Sequence, residues 1–161
     1  MSEIEAIAVL TNVTNKNING YILFKEDLKN KCTNIIIRIK GLPEGKHGFH
    51  IHKAGDLRNS CSSLCDHYNP KNKKHGDIND KERHVGDLGN IKADKNGNCS
   101  ITIKDKLIKL RGKYSIIGRS VVIHEDEDDL GRGNHKFSLT TGNSGKRIAC
   151  GVIGYSMNNK F

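Results

Sequence analysis

The sequence predicts an all-β fold, an antiparallel sandwich or barrel of eight strands. Short apolar or alternating segments recur along the chain with turn sequences between them, and no segment has helical periodicity. Trp is absent and aromatic residues make up only 5% of the chain, so the core must come from Ile, Val and Leu. Ile and Val are β-branched and favour strands, which supports the same fold class.

Each predicted strand is a segment that alternates polar and apolar residues or runs apolar. In chain order the segments are IEAIAVL (4–10), INGYILF (18–24), NIIIRIK (34–40), HGFHIH (47–52), GNIKA (89–93), CSITIK (99–104), SIIGRSVVIHE (115–125) and RIACGVIGY (147–155). Turn sequences such as NKNING, DLKNKCTN and GLPEGK separate the first four, and DKNGN holds an Asn-Gly pair suited to a tight hairpin. A chain of 161 residues fits one domain, which we expect to span 1–161.

Two connections are much longer than the other turns. They cover 53–88, rich in Gly, Asn, Asp, Lys and His, and 126–146, rich in Gly and charged residues. Loops longer than about 12–15 residues in a compact domain are usually functional or disordered. We therefore expect two long functional loops that specific contacts hold in place.

The formal net charge of +9 would suit nucleic acid, an anionic membrane or a small anionic substrate. The lysines are scattered, however, with no basic tail and no aromatic residues placed for stacking on bases. We expect no nucleic acid partner, and solvated lysine explains most of the surplus.

The opening residues, MSEIEAIAVL, lack the basic region and long apolar run of a signal peptide, and no stretch approaches 18 apolar residues. We expect a soluble cytoplasmic protein with no membrane partner. In a reducing compartment the five cysteines should be mostly free thiols or ligands, and their odd number leaves at least one unpaired.

Three of the eight histidines fall in the first long loop, and a carboxylate follows them. They are His67, His75 and His84, with Asp87 in the phrase ERHVGDLGN. Three imidazoles and one carboxylate complete a tetrahedral set for Zn²⁺ with no open position, as a structural site requires. Such a site would hold the loop against the rest of the protein.

His50 and His52 lie two residues apart in HGFHIH, so both side chains would point from the same face of a strand. Two half-buried histidines satisfied by hydrogen bonds are the alternative, and for His47 that interpretation is retained. His124 lies in VVIHE on the face of Val122. If the two strands are neighbours, three neutral imidazoles converge, and a nitrogen-only set suits Cu²⁺.

A set of motifs carries a family resemblance. The motifs GFHIH, CDHYNP, KKHG, ERHVGDLGN, VVIHE, DDLG and TGNSGKRIACGVIG resemble the copper-zinc superoxide dismutase family in sequence, order and spacing, from about residue 4 to residue 155. The resemblance implies an eight-stranded antiparallel Greek-key β-barrel or sandwich. It also implies disproportionation of superoxide to dioxygen and hydrogen peroxide, with Cu²⁺/Cu⁺ cycling and one Cu²⁺ and one Zn²⁺ per subunit.

The resemblance also assigns ligands. It implies that copper is bound by His50, His52, His67 and His124, and zinc by His67, His75, His84 and Asp87. His67 would bridge the two ions as an imidazolate and carry a proton during turnover. Asp128 resembles the carboxylate that joins His50 to His75 and fixes both rings. The neighbouring acids Asp126, Glu127 and Asp129 are interpreted as solvated.

Four further residues match family positions. Arg147 resembles the active-site arginine that holds a small anion beside copper, and Thr141 the residue that narrows the channel. Cys61 and Cys150 resemble the family's intrasubunit disulfide, which would close a loop of roughly 90 residues and stabilise the fold by about 4–5 kcal/mol. Cys32 and Cys99 are interpreted as strand-packing thiols.

The chain departs from the family pattern near the site. Cys65 stands where a small residue is usual and could shuffle the disulfide, a hypothesis that disulfide mapping by mass would test. Lys136 and Phe137 replace an acidic pair and shift the channel rim towards positive charge. No family role is assigned to His135, which is interpreted as solvated.

The resemblance implies two protein partners, a second copy of the chain and, less directly, a copper chaperone. Ala54 stands where a large aromatic residue is common at the dimer interface, while Ile117, Val152 and Tyr155 could still supply apolar area.

The alternative function is a catalytically silent copper-binding decoy or a copper-chaperone-like protein. Such relatives tend to lack a copper histidine or the arginine, whereas this chain retains His124 and Arg147. A basic nucleic-acid-binding barrel would not explain the placed ligands.

Overall fold

A computed structural model describes residues 2–13 and 17–159 of the protein. Nine strands lie in the described part of the chain. They are β1 (Glu3–Val9), β2 (Thr11–Asn12), β3 (Asn19–Asp27), β4 (Cys32–Lys40), β5 (Gly45–His52), β6 (Asp87–Ala93), β7 (Cys99–Asp105), β8 (Ser120–His124) and β9 (Arg147–Tyr155). The helical elements there are a 3₁₀ turn over Ser60–Ser63 and one turn of helix, α1 (Ser138–Thr141).

Alternating side chains build the core, as the sequence pattern predicts. Along β3 and β4 every second residue points inward, and Phe24, Ile35 and Ile37 are fully buried. β5 contributes Phe49 and Ile51 to the same core. Aliphatic residues therefore fill most of the barrel, in agreement with the composition.

The strands form one antiparallel sheet that curls into a nearly closed barrel. Its order is β6-β5-β8-β9-β1-β3-β4-β7, and β2 pairs with β9. The chain crosses between the two halves of this order after β4, β6 and β7, which gives the Greek-key connectivity. The predicted all-β, eight-stranded antiparallel Greek-key barrel is confirmed, with β2 as a short addition.

Two details differ from the predicted strands. The segment 115–125 is a strand only over Ser120–His124, because Gly118 takes a φ of 79° and Arg119 N donates to Ile116 O in a turn. The unpredicted β2 is only two residues long and is held by β9 through Thr11 and Cys150.

The first long loop covers the outer face of β5. Tyr68 N donates to Ile51 O, and Ile51 N donates to Gly86 O, so the middle of the loop and the segment just before β6 are both bound to this strand. Consequently β5 is buried on both faces from His47 to His52. Across residues 2–13 and 17–159, no helix is both long and apolar enough to cross a bilayer.

Candidate metal centre

Four histidines converge on the outer face of the barrel. β5 carries His50 and His52, and its pairing with β8 sets His50 opposite Val122 on the strand that ends at His124. An isolated bridge between His52 and His67 brings in the first long loop. One ring nitrogen from each of the four lies within 4.8 Å of those of the other three.

Each strand histidine of this cluster uses one ring nitrogen as a donor and leaves the other unsatisfied. His50 Nε2, His52 Nδ1 and His124 Nδ1 each lie within hydrogen-bond distance of an acceptor, while the opposite nitrogens are buried without a partner among the described residues. Buried polar atoms are rarely left without a partner, and a metal-binding histidine usually donates from its other nitrogen. This set therefore fits a metal ion. The three donated contacts are His50 to Asp128 (2.6 Å), His52 to the Cys65 carbonyl (2.7 Å) and His124 to the Gly145 carbonyl (3.1 Å).

Burial keeps these rings neutral and able to bind a cation. It lowers the pKa of His50 and His52 well below the usual histidine value, with the nearby His67 ring as a further cause in both. For His124, burial lowers the pKa to about 4, partly opposed by the hydrogen bond to the Gly145 carbonyl. Neutral imidazole is the form that binds metals.

A second cluster surrounds one oxygen of Asp87. Nδ1 of His67, His75 and His84 lies 2.9, 2.9 and 3.0 Å from Asp87 Oδ1. Four ligands about 2.0 Å from a tetrahedral ion lie about 3.3 Å apart, close to these separations. The approach of His75 Nδ1 also lacks hydrogen-bond geometry. The four atoms are therefore arranged like ligands around one point.

The Asp87 carboxylate is ionised and fixed. Burial alone would raise its pKa, but the close contacts with the imidazoles of His67, His75 and His84 outweigh that effect and hold the pKa far below its usual range. Its second oxygen, Oδ2, accepts from Gly76 N (3.1 Å) and His84 N (2.8 Å). Oδ1 is thereby turned toward the three imidazoles.

His67 belongs to both clusters through opposite ring nitrogens. Its Nδ1 faces Asp87, whereas its Nε2 is buried without a partner in the described part of the chain. Asp128 links the two clusters by a second route, since its Oδ2 accepts from His50 and its Oδ1 from His75 (2.8 Å). For His75, burial lowers the pKa, but Asp128 and Asp87 reverse the effect and raise it to about 9.

Arg147 lies beside the first cluster at the start of β9. Its Nη1 and Nη2 donate to the carbonyls of Cys61 and Cys65, both at 2.7 Å. The guanidinium is half-buried, and that burial lowers its pKa. The charge is close enough to contribute to the lowered pKa of His52 and His124. Two carbonyls thus hold the guanidinium next to the histidines.

Thr141 ends α1 and lines an open groove of about 1020 Å³ that His67 also lines. Gly142 follows with a φ of 67°, and a Cβ there would lie 1.9 Å from Asp128 Oδ1. Only glycine lets this loop pass so close to the carboxylate. The second long loop is therefore packed directly onto the link between the clusters.

Cys61 and Cys150 form a disulfide. It connects the first long loop to β9, three residues from Arg147. Cys65 is an exposed free thiol, Cys99 is buried in β7 and Cys32 is half-buried in β4. The structure thus shows Cys61 paired with Cys150 and not with Cys65. Whether Cys65 can exchange into this disulfide stays a prediction.

The remaining histidines lie outside both clusters. His47 is buried, with Nδ1 2.9 Å from His124 O and Nε2 2.9 Å from Pro43 O, so both ring nitrogens face backbone carbonyls and neither belongs to a cluster. His135 is exposed next to Phe137. Lys136, also exposed, has its Nζ 4.9 Å from the Phe137 ring centroid.

Sequence reasoning missed two kinds of contact. Asp129 is half-buried rather than solvated, and it accepts from Ser138 Oγ at 2.6 Å. Arg83 and Asp105 form a buried ion pair, and Arg83 also donates to the Asp87 carbonyl. Their only signal in the sequence is the position of Arg83 next to His84.

The fold and the two clusters define a β-barrel metalloprotein whose adjoining sites share one histidine. A family model for copper/zinc superoxide dismutase matches residues 18–153. Superoxide dismutase [Cu-Zn] 3 of Arabidopsis thaliana is 50% identical over 151 residues, covering 94% of this chain and 90% of that protein. An extracellular superoxide dismutase [Cu-Zn] of Drosophila melanogaster is 49% identical over 154 residues, covering 94% and 85%.

A solved structure also matches. The crystal structure of the clock protein EA4 aligns with this chain with a TM-score of 0.90 and 46% sequence identity, covering 97% of each chain. The protein belongs to the copper/zinc superoxide dismutase family. It is an oxidoreductase with copper and zinc as its cofactors, and the two clusters have donor sets suited to these ions.

Proposed function

We propose that the nitrogen-only cluster binds copper and that the cluster containing Asp87 binds zinc. A set of four imidazoles suits Cu²⁺, whereas three imidazoles and a carboxylate fill a closed tetrahedral zinc site. The copper set would be His50, His52, His67 and His124, and the zinc set His67, His75, His84 and Asp87. The observation that carries this assignment is a set of four buried nitrogens, from His50, His52, His67 and His124, which have no hydrogen-bond partner among the described residues and belong to rings that converge.

The reaction is the dismutation of superoxide, in which two superoxide ions and two protons give dioxygen and hydrogen peroxide. Copper, when bound, supplies the redox chemistry by taking an electron from one superoxide and giving it to the next. The protein has to hold a small anion beside the site and to supply a proton.

Arg147 is suited to hold the anion. A guanidinium has five N–H donors, and hydrogen bonds to the Cys61 and Cys65 carbonyls use Nη1 and Nη2. These bonds fix the planar group, and its remaining N–H groups can donate to an anion near His52 and His124. The disulfide at Cys61 restrains the same loop.

His67 is suited to handle the proton. An imidazole can bind two cations only when both nitrogens are deprotonated, a state that two adjacent cations stabilise. His67 Nε2 faces the other three copper-set nitrogens, so this atom would take up and release the proton. His67 Nδ1 would stay in the zinc set, 2.9 Å from Asp87 Oδ1, which keeps the ring oriented while Nε2 exchanges the proton.

Asp128 and Thr141 would act on geometry. Asp128 holds His50 and His75 in fixed tautomers, which keeps one nitrogen of each ring free for a metal. Thr141 and His67 line the same groove, so the Thr141 side chain would narrow the approach to His67 from that side.

The competing function is a copper-binding decoy or chaperone-like protein that does not turn over. A dismutation assay on copper- and zinc-loaded protein separates the two, with His124→Ala as the matched control and metal content measured in both samples. We expect activity in the loaded wild type and its loss in His124→Ala. Full metal occupancy without activity in the wild type would favour the decoy.

We also propose a homodimer formed by the face around Gly55. A Cβ at Gly55 would lie 2.2 Å from Gly118 O and 3.2 Å from Val152 Cγ1, so these residues form one surface. Ala54, Ile117 and Val152 are half-buried there. Sedimentation of wild type and Val152→Glu would test it, and a wild-type monomer at micromolar concentration would contradict it.

Delivery of copper by a chaperone and a cytoplasmic location stay predictions. Relatives include proteins named extracellular, such as the Drosophila enzyme. Fractionation of the native host cell would test the location, and loss of copper loading in cells that lack a chaperone would test the delivery route.

A further inference from the structure

The Arg83–Asp105 ion pair joins the zinc cluster to a part of the barrel that provides no ligand. Arg83 directly precedes His84 and is buried, as is Asp105, the last residue of β7. Arg83 Nη2 donates to Asp105 Oδ2. Since β6 and β7 end the sheet order at opposite edges, the pair crosses the gap at which the barrel is not closed by strand pairing.

Arg83 also holds the backbone of a ligand. Its Nη1 donates to the carbonyl of Asp87, the residue whose carboxylate lies among the three zinc-set imidazoles. The side chain of Asp87 is fixed separately by Gly76 N and His84 N. Both ends of Asp87 are therefore anchored, and the anchor of its carbonyl is Arg83.

Asp105 is in turn firmly positioned. Its Oδ1 accepts from Leu107 N and Ile108 N, both at 2.7 Å, so the carboxylate caps the turn that follows β7. A buried charge needs its partner, because removal of one member leaves the other desolvated and unpaired. The ion pair therefore fixes the Arg83 side chain in one position. Because this side chain also binds the Asp87 carbonyl, it holds the segment from His84 to Asp87 in place.

We infer that Arg83 and Asp105 are positioning residues that set the affinity and geometry of the zinc cluster through the Asp87 carbonyl. The inference rests on the zinc assignment proposed above. Partners outside the ligand set of a metal site typically change metal affinity by 10–100-fold when they are mutated. We expect an effect of that size without any change in the ligands themselves.

The test measures the zinc dissociation constant by competition with a chelator and the visible spectrum of Co²⁺ bound in the same cluster. The variants are Asp105→Asn and the double change Arg83→Met with Asp105→Leu. Because the double change replaces both buried charges together, we expect it to fold. The matched control is Glu26→Gln. Glu26 is a buried carboxylate outside the zinc cluster. It accepts from Leu110 N at 2.8 Å, in the segment after β7 whose Leu107 N and Ile108 N donate to Asp105.

We expect both test variants to bind zinc at least tenfold more weakly and to shift the Co²⁺ spectrum, while Glu26→Gln stays within twofold with an unchanged spectrum. Zinc affinity within twofold of wild type in the double variant would overturn the inference, as would an equal loss in Glu26→Gln. Failure of the zinc assignment looks different, because the wild type would then bind Co²⁺ no better than His75→Ala.

Discussion

The carboxylate of Asp128 should be the contact whose loss most affects metal binding without removing a ligand. Its side chain is fully buried, and it accepts from His50 Nε2 at 2.6 Å and from His75 Nε2 at 2.8 Å. In Asp128→Asn the amide can accept at one of these positions and presents N–H donors at the other. One ring N–H therefore loses its acceptor.

The cost follows from that loss. A buried donor left unsatisfied costs about 1–3 kcal/mol, which corresponds to about 5–150-fold in affinity. His50 is held by β5, which pairs with strands on both sides, whereas His75 lies in a loop. We therefore expect zinc affinity to fall by this factor and copper affinity to fall less.

The assay is competition of each metal with a chelator, followed by mass spectrometry of the native protein. Glu127→Gln is the matched control, since it removes a neighbouring carboxylate that is exposed and pairs with Lys46. Unchanged affinities in Asp128→Asn would refute the reasoning. So would a loss of the same size in Glu127→Gln.

Three further predictions concern stability and steering. Cys61→Ser removes a disulfide with a sequence separation of 89, so urea unfolding of the metal-free protein should show a loss of about 4–5 kcal/mol, and a loss below about 1 kcal/mol would contradict the chain-entropy account. The dismutation rate should fall as ionic strength rises, and Lys136→Glu should weaken the attraction of superoxide; a rate independent of salt would count against it. Metal-free protein should lose stability as pH falls from 6.5 towards 4, since the unfolded state then binds protons that His124, with a pKa of about 4, does not. It should also lose stability as pH rises from 6.5 through about 9, where His75 gives up the proton that stabilises the fold; urea midpoints that stay constant from pH 4.5 to 9 would contradict both.

The strands were predictable because their signal is local. Alternation along β3 and β4 and the pair at His50 and His52 depend only on residues two apart. The segment 115–125 was predicted too long because its apolar residues, such as Ile116, are buried in a turn rather than in a strand. Apolar residues are buried in turns as well as in strands, so composition alone does not distinguish a buried turn from a strand.

The sequence predicted which histidines and which carboxylate come together, but not the contacts that support them. The residues of both clusters come together as the spacing and the resemblance suggested. The contact between Arg83, which precedes β6, and Asp105, which ends β7, joins residues 22 apart, and no periodicity in the sequence indicates it. The shift in register between Ile123 and His124 is likewise a property of the folded sheet.

The central claim is that His67 joins the two metal sites through its opposite nitrogens. Electron paramagnetic resonance of protein loaded with Cu²⁺ in the first cluster and Co²⁺ in the second tests this directly, with diamagnetic Zn²⁺ in place of Co²⁺ as the control. If one ring joins the ions, the Cu²⁺ signal should be lost with Co²⁺ and retained with Zn²⁺. A Cu²⁺ signal that persists unchanged at full Co²⁺ occupancy would contradict a shared His67.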